Sequence, residues 1–126
     1  MRLPSRPVLT GIDHVQLAAP PACEAEARRF YGDLLGLPEV PKPGPLLARG
    51  GVWFACGSQQ VHVGVEQEFS PALKAHPAFH VRGYDALVER LRAAGVDVAD
   101  DDSLPAVRRC HLHDPFGNRL ELVAGD

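Results

Sequence analysis

The sequence is poor in cysteine and aromatic residues, and it has no long apolar run. Its 126 residues include 3 cysteines, and only 6% are aromatic. The apolar runs are far too short to span a bilayer, so we expect no membrane partner. Cys23, Cys56 and Cys110 are odd in number and widely spaced, which argues against a disulfide framework. This cysteine usage is typical of a protein of the reducing cytoplasm.

The sequence also lacks a charge run of one sign. Its 13 basic and 16 acidic residues give a net charge of −3, and no basic patch indicates a nucleic-acid partner. The stretch from Met1 to Thr10 carries Arg2 and Arg6 but no apolar segment, so we expect no signal peptide there. Since 45% of the residues are hydrophobic, residues 1–126 can form one ordinary globular domain.

The first half of the chain changes from a strand pattern to a helix pattern and back. Residues 11–18 alternate as a strand does, and the following apolar stripe has helical spacing. A loop rich in proline and glycine separates this helix from a hairpin. The predicted elements are a strand at 11–18, a helix at 23–35 capped by Gly36, a short edge strand near 46–49, and hairpin strands at 52–56 and 60–65.

The second half repeats this order. The predicted elements are strands at 77–82, 96–98, 107–113 and 119–123, a helix at 84–94 capped by Gly95, and an acidic loop at 100–105. Two strand–helix–strand units therefore follow each other, from about residue 11 to 66 and from about 76 to 124. They imply a mixed sheet with helices on one side and a second face left open.

The open face carries an unusual number of imidazoles and a carboxylate. Its members by strand alternation are His14, Gln16, His62, His76, His80, Arg109, His111, His113 and Glu121. Imidazole and carboxylate are the usual ligands of zinc, iron, nickel and manganese. No His-Glu-x-x-His motif occurs, so any ligands come from separate strands. A lone histidine is more often hydrogen-bonded than metal-bound, and we expect His80, His111 and His113 to line the cavity without touching metal.

Glu121 stands out because of the segment that presents it. Asp114-Pro115 starts a tight turn, which Gly117-Asn118 can close. In the strand that follows, Leu120 and Leu122 point to one face and Glu121 to the other. Glu121 is therefore either a solvent-facing side chain or a ligand or catalytic group aimed into a cavity.

Four segments resemble the vicinal oxygen chelate superfamily. This superfamily contains glyoxalase I, bleomycin-resistance and fosfomycin-resistance proteins, methylmalonyl-CoA epimerase and extradiol dioxygenases. The resemblance covers the chain from about Gly11 to Val123. The segments are Asp-His-Val-Gln-Leu at 13–17, Phe-Tyr-Gly-Asp-Leu-Leu-Gly-Leu at 30–37, His-Pro-Ala-Phe-His-Val at 76–81, and Asp-Pro-Phe-Gly-Asn-Arg-Leu-Glu-Leu at 114–122.

The resemblance implies an α+β fold in which two βαβββ modules form one cupped mixed sheet, with helices on the convex face. Carried over by position, the ligands of a divalent metal would be His14, His62, His76 and Glu121, and Glu121 and His62 would be the catalytic residues. The metal would be zinc, nickel, iron or manganese. His62 stands where glyoxalase I has a glutamate or glutamine. The dioxygenase and fosfomycin-type members use two histidines and one carboxylate, which His14, His76 and Glu121 can supply.

The function implied is that of a metal-dependent lyase, isomerase or dioxygenase acting on a small oxygenated substrate. An alternative is a metal-free small-molecule binding protein of the bleomycin-resistance type. The four candidate ligands favour the enzyme, because the metal-free members lack the ligand set. Many superfamily members pair two chains to complete each cup, so a homodimer is expected. Metal analysis of untagged protein distinguishes the two functions.

Overall fold

The computed structural model describes residues 5–125. Residues 1–4 and residue 126 lie outside the described residues. Residues 1–4 belong to the stretch in which no signal peptide is expected. In the described part of the chain, no helix has the length and apolar character needed to cross a membrane.

Module one extends from the first strand to residue 65. Its helical part begins as an α-helix and continues as a π-helical segment, in which the Leu35 N–H donates to Phe30 O, five residues back. The elements are β1 (His14–Ala19), α1 (Glu24–Ala27), the π-helical segment (Arg28–Leu34), β2 (Glu39–Val40), a 3₁₀ helix (Gly44–Arg49), β3 (Val52–Cys56) and β4 (Gln59–Val65).

Module two has the same order of elements. They are β5 (Ala78–Val81), α2 (Tyr84–Ala93), β6 (Ala99–Asp101), β7 (Arg109–His113) and β8 (Arg119–Ala124). Gly95, with a φ of +84°, ends the helix in a Schellman motif, since the Val96 N–H donates to Leu91 O and the Gly95 N–H to Arg92 O.

The predicted fold class is confirmed, with the strands arranged as two mixed four-stranded sheets. Their orders are β1-β4-β3-β2 and β5-β8-β7-β6. In each, the first strand pairs in parallel with the last, and the other pairs are antiparallel. Among residues 5–125 no strand pairing joins the two sheets, so β1 and β5 are both edge strands. The single cupped sheet is therefore not continuous within one chain.

Two short strands differ from their predicted positions. The segment near residues 46–49 is a 3₁₀ helix, and the edge strand of module one lies instead at Glu39–Val40. In module two the predicted strand at 96–98 lies three residues later, at Ala99–Asp101. The reason is that the Val96 N–H is used to cap α2, so the chain becomes free to pair with β7 only beyond that turn.

The core lies between the sheets and the helical segments. Tyr31 and Leu91 from the helical segments are fully buried, as are Phe54 of β3 and Leu120 of β8. These side chains belong to one hydrophobic cluster that includes residues of both modules. The three cysteines are free thiols, and Cys110 is part of this core.

The predicted turn at residues 114–118 joins the modules. Asp114 Oδ1 accepts hydrogen bonds from the Phe116 and Asn118 N–H groups, both at 2.9 Å. Its Oδ2 accepts one from the Tyr31 hydroxyl at 2.6 Å and one from Asn118 Nδ2 at 2.9 Å. Asn118 Nδ2 also donates to Ala18 O at 2.8 Å. The turn that introduces β8 is thereby attached to both the helical segment and β1 of module one.

Candidate metal centre

Strand pairing in module two brings three potential ligands to one place. His111 of β7 lies directly opposite Glu121 of β8. On the other side of β8, the Glu121 N–H donates to Pro77 O, which places His76 beside it. Because paired residues share a face of the sheet, the His111 and Glu121 side chains point the same way, opposite to the apolar Leu120 and Leu122.

The side chains of this histidine–carboxylate cluster, His76, His111 and Glu121, converge. His76 Nε2 lies 2.9 Å from Glu121 Oε1, and His111 Nδ1 lies 3.9 Å from the same oxygen. The potential ligand atoms of the three residues all lie within 4.8 Å of one another. Glu121 is only 7% exposed, whereas the His76 side chain is 25% exposed. The cluster therefore has a buried carboxylate and a side open to solvent.

A polar network surrounds the cluster. Arg109 Nη1 lies 3.4 Å from Glu121 Oε2, and its Nη2 donates to Ser103 Oγ at 2.8 Å and lies 3.1 Å from Asp101 Oδ2. Burial acts to raise the pKa of the Glu121 carboxyl, but its contacts with His76 and Arg109 outweigh burial and hold that pKa below its ordinary value. The Ser103 hydroxyl and N–H, followed by His111, hold the pKa of Asp101 well below its usual range. Both carboxylates are thus ionised at neutral pH.

Module one places its histidines in a different environment. The His62 ring lies between two others, parallel to Trp53 at 3.8 Å and stacked on His14 at 4.1 Å. His62 is 4% exposed, and the side chain of His14 is 44% exposed. Burial, followed by the neighbouring His14, lowers the pKa of His62. We call His14, His62 and Trp53 the ring stack. Its buried member is a neutral imidazole.

The four predicted ligands therefore occur in the chain as two pairs. His76 and Glu121 are adjacent in module two, and His14 and His62 are stacked in module one. Among the described residues, the group of converging ligand atoms contains His111 but neither His14 nor His62. The four-ligand set stays a prediction.

Sequence reasoning left His111 out of the ligand set. Strand alternation places His111 on the open face but does not distinguish it from His113, which is exposed. The signal that separates them is the register of the β7–β8 hairpin, which places His111 opposite Glu121 and His113 opposite Arg119. A hairpin count outward from the turn at Asp114 would have found this difference.

Comparisons with known proteins agree on the family. The sequence profile of a family described as a glyoxalase-like domain matches residues 18–123. A solved structure described as a glyoxalase family protein from Bacillus anthracis has 51% sequence identity, with a TM-score of 0.92, over 97% of this chain and 100% of that chain. No curated protein matches the sequence.

Two more distant structures share the fold. A lactoylglutathione lyase from Agrobacterium tumefaciens has 25% identity and a TM-score of 0.71, over 93% of this chain and 95% of its own. The fosfomycin resistance protein FosX from Listeria monocytogenes has 18% identity and a TM-score of 0.73, over 94% of this chain and 96% of its own. At the latter identity the likeness concerns the fold alone.

Proposed function

Because this chain belongs to the glyoxalase-like domain family, we propose that it is a metal-dependent enzyme acting on a small oxygenated substrate. The observation that carries the proposal is the contact of His76 Nε2 with Glu121 Oε1 at 2.9 Å, on a face opened to solvent. These are donor types that zinc, nickel, iron and manganese accept. A divalent metal bound there would supply Lewis-acid stabilisation for negative charge developing on substrate oxygens.

The side chains around Glu121 suit this role. Oε1 of Glu121 faces the imidazoles, and Oε2 faces the Arg109 guanidinium. One oxygen is thus available for a metal while the other is held by Arg109. The carboxylate stays ionised because its pKa is lowered, and the ionised form is the one that binds a divalent metal.

We further propose that His14 and His62 reach the metal from a second copy of the chain. β1 and β5 are edge strands with unpaired backbone groups along one side. Placing β1 of one copy beside β5 of another would bring a ring stack next to a histidine–carboxylate cluster. A homodimer of this kind has two equivalent sites. Sedimentation at micromolar concentration tests this, and a monomer would contradict it.

The proposed reaction is of the lyase, isomerase or dioxygenase type. Each of these types uses a metal that binds substrate oxygens. The relatives include a protein described as a lactoylglutathione lyase and a glyoxalase/dioxygenase from Nostoc punctiforme. We propose the cytoplasm as the compartment, because all three cysteines are free thiols.

Metal analysis of untagged protein tests the proposal. We expect one divalent metal per chain, and loss of both metal and turnover in His76→Ala and Glu121→Gln. His80→Ala is the matched control, since His80 is exposed on the neighbouring strand β5. Turnover is measured with the methylglyoxal–glutathione hemithioacetal, a fosfomycin-type epoxide and a catechol. If the protein takes up no metal but binds a small molecule tightly, the result would instead support a metal-free binding protein of the bleomycin-resistance type.

A further inference from the structure

We propose that His111 is a metal ligand, so that module two by itself supplies two histidines and one carboxylate to the metal. This inference rests on the proposed function and adds a residue to its ligand set. It assigns a role to a histidine that position matching to the superfamily does not include.

The ring of His111 is oriented by Asp101. His111 Nε2 lies 2.9 Å from Asp101 Oδ2. An ionised carboxylate can only accept, so Nε2 carries the hydrogen and Nδ1 of the neutral ring is a lone pair. Among the described residues, this Nδ1 is buried and has no hydrogen-bond partner. A buried acceptor without a partner is costly, and a cation bound to Nδ1 would offset that cost.

His76 is oriented in the same manner. Its Nδ1 lies 2.9 Å from Lys74 O, a carbonyl that can only accept. Nε2 of the neutral ring is then a lone pair that faces Glu121 Oε1 at 2.9 Å. Two acceptors at this distance repel each other unless a proton or a cation lies at the contact. A proton on His76 would satisfy this pair but would leave Nδ1 of His111 without a partner. A divalent cation satisfies all three atoms.

The surroundings match those of metal-binding histidines. Such histidines usually donate their second N–H to a carbonyl or carboxylate, which fixes the tautomer and the ring orientation. Here Lys74 O has this role for His76 and Asp101 has it for His111. Asp101 is held in turn by the Ser103 hydroxyl at 2.6 Å and by Arg109.

The distances are close to those that a metal requires. With bonds of about 2.1 Å, neighbouring ligand atoms are roughly 2.9–3.4 Å apart. The separations from Glu121 Oε1 are 2.9 Å to His76 Nε2 and 3.9 Å to His111 Nδ1. The two imidazole rings meet edge to face, with centroids 5.6 Å apart. All three ligand atoms lie within 4.8 Å of one another, and binding one metal would require the His111 side chain to move toward Glu121.

Titration of metal-free, untagged protein with Co²⁺ and Zn²⁺ tests the role of His111. Binding is followed by calorimetry and by the visible absorption of Co²⁺, which reports the ligand set. In His111→Phe, which keeps an aromatic ring without nitrogens, we expect affinity to fall by about 100-fold or more and the Co²⁺ spectrum to change. In Asp101→Asn we expect a fall of about tenfold, as for other groups that orient a ligand.

The matched control is His113→Ala, since His113 is exposed and lies on the same strand and face. It should leave affinity and spectrum unchanged. Circular dichroism and Tm of His111→Phe establish that the variant is folded, and Asp101→Asn provides an independent reading if it is not. If His111→Phe and Asp101→Asn both keep wild-type affinity and spectrum while His76→Ala loses them, His111 is not a ligand and the proposed function stands. If wild-type protein binds no metal, both proposals fail.

Discussion

The two modules have the same strand order and register but present different chemistry on their open faces. In module one, His62 of β4 lies opposite Gln16 of β1 on one side and opposite Trp53 of β3 on the other. In module two, Glu121 of β8 lies in the same way between Ala78 of β5 and His111 of β7. In module one the rings of His62 and Trp53 stack, whereas in module two a carboxylate lies within 4.8 Å of two imidazoles.

The two faces differ in the metal ligands that they bring together. In module one the indole of Trp53 lies on His62 and fills the position that His111 has in module two. Trp53 offers no acceptor atom to a cation, so the ring stack cannot form a three-ligand set by itself. Module two has the carboxylate and the orienting groups.

The largest expected effect comes from breaking the connection between the modules. Asp114→Ala removes the acceptor of four hydrogen bonds, two within the turn and two from side chains. Because buried donors lose a charged partner, we expect the free energy of unfolding to fall by about 3 kcal/mol or more. Urea unfolding measures it, with Asp97→Ala at an exposed position as the control. A change as small as that of the control would show that the turn does not couple the modules.

A smaller effect is expected when only one of these bonds is removed. Tyr31→Phe deletes the hydroxyl that donates to Asp114 Oδ2 across the two modules. Burial and the nearby carboxylate raise the pKa of Tyr31 well above its ordinary value, so the hydroxyl is protonated at all ordinary pH values. We expect a loss of about 2 kcal/mol in unfolding free energy, typical of a hydrogen bond to a charged group.

The control for this prediction is Tyr84→Phe. Tyr84 is also buried, but its hydroxyl interacts with the Cys110 thiol, a weaker acceptor. The loss should therefore be smaller than in Tyr31→Phe. Equal losses would mean that the contact with Asp114 adds nothing beyond burial of a phenol.

Trp53 in the ring stack can report on metal binding because its indole lies against His62. If His62 lies at the metal or within one water of it, metal binding should change the emission of Trp53, the only tryptophan in the sequence. We expect His62→Gln to weaken metal binding by about tenfold or more, as the loss of a ligand or of a group that orients one does. Unchanged Trp53 emission on metal binding, together with unchanged affinity of the variant, would remove His62 from the site.

We expect the same residue, His62, to slow the glyoxalase reaction. A histidine at this position adds neither negative charge nor, once bound to metal, a free base. We therefore expect slow turnover of the methylglyoxal–glutathione hemithioacetal in nickel- and zinc-loaded protein, with kcat/KM below about 10⁵ M⁻¹s⁻¹. Rapid turnover in steady-state assays would overturn this expectation.

The smallest expected effect is a pH dependence within module one. Glu24 accepts the Gly51 N–H at 2.7 Å, and this bond is the main reason that its pKa is lowered. A carboxyl with a lowered folded-state pKa stabilises the protein above its unfolded-state value and loses that contribution as pH falls through the folded-state value. Glu24→Gln should cost less than about 1 kcal/mol at pH 7, since the group is partly exposed.

Urea unfolding at pH 7 and near pH 3 measures this difference, which should become smaller at the lower pH. Glu26→Gln, exposed two residues further along α1, is the control and should show no pH-dependent difference. If Glu24→Gln costs the same at both pH values, the carboxylate charge is not what stabilises this contact.

Several features could be read from the sequence because they depend on short-range rules. Alternation placed Glu121 opposite the apolar Leu120 and Leu122, and the structure shows the same division of faces. The turn at Asp114, the cap at Gly95 and the repeat of two modules also follow from local chemistry and spacing. The resemblance of four segments then led to the family that the comparisons confirm.

Other features depended on contacts between distant segments, which no local pattern contains. The π-helical segment and the later start of β6 arise from hydrogen bonds at helix ends that compete with the regular pattern. Similarly, His111 and His113 have the same alternation, and only the pairing of β7 with β8 places one of them opposite Glu121. The environment of His62 depends on Trp53, which reaches it through the β3–β4 pairing. Sequence alone determined which side chains share a face, whereas tertiary structure decided which of them meet, because strand register and side-chain packing set those distances.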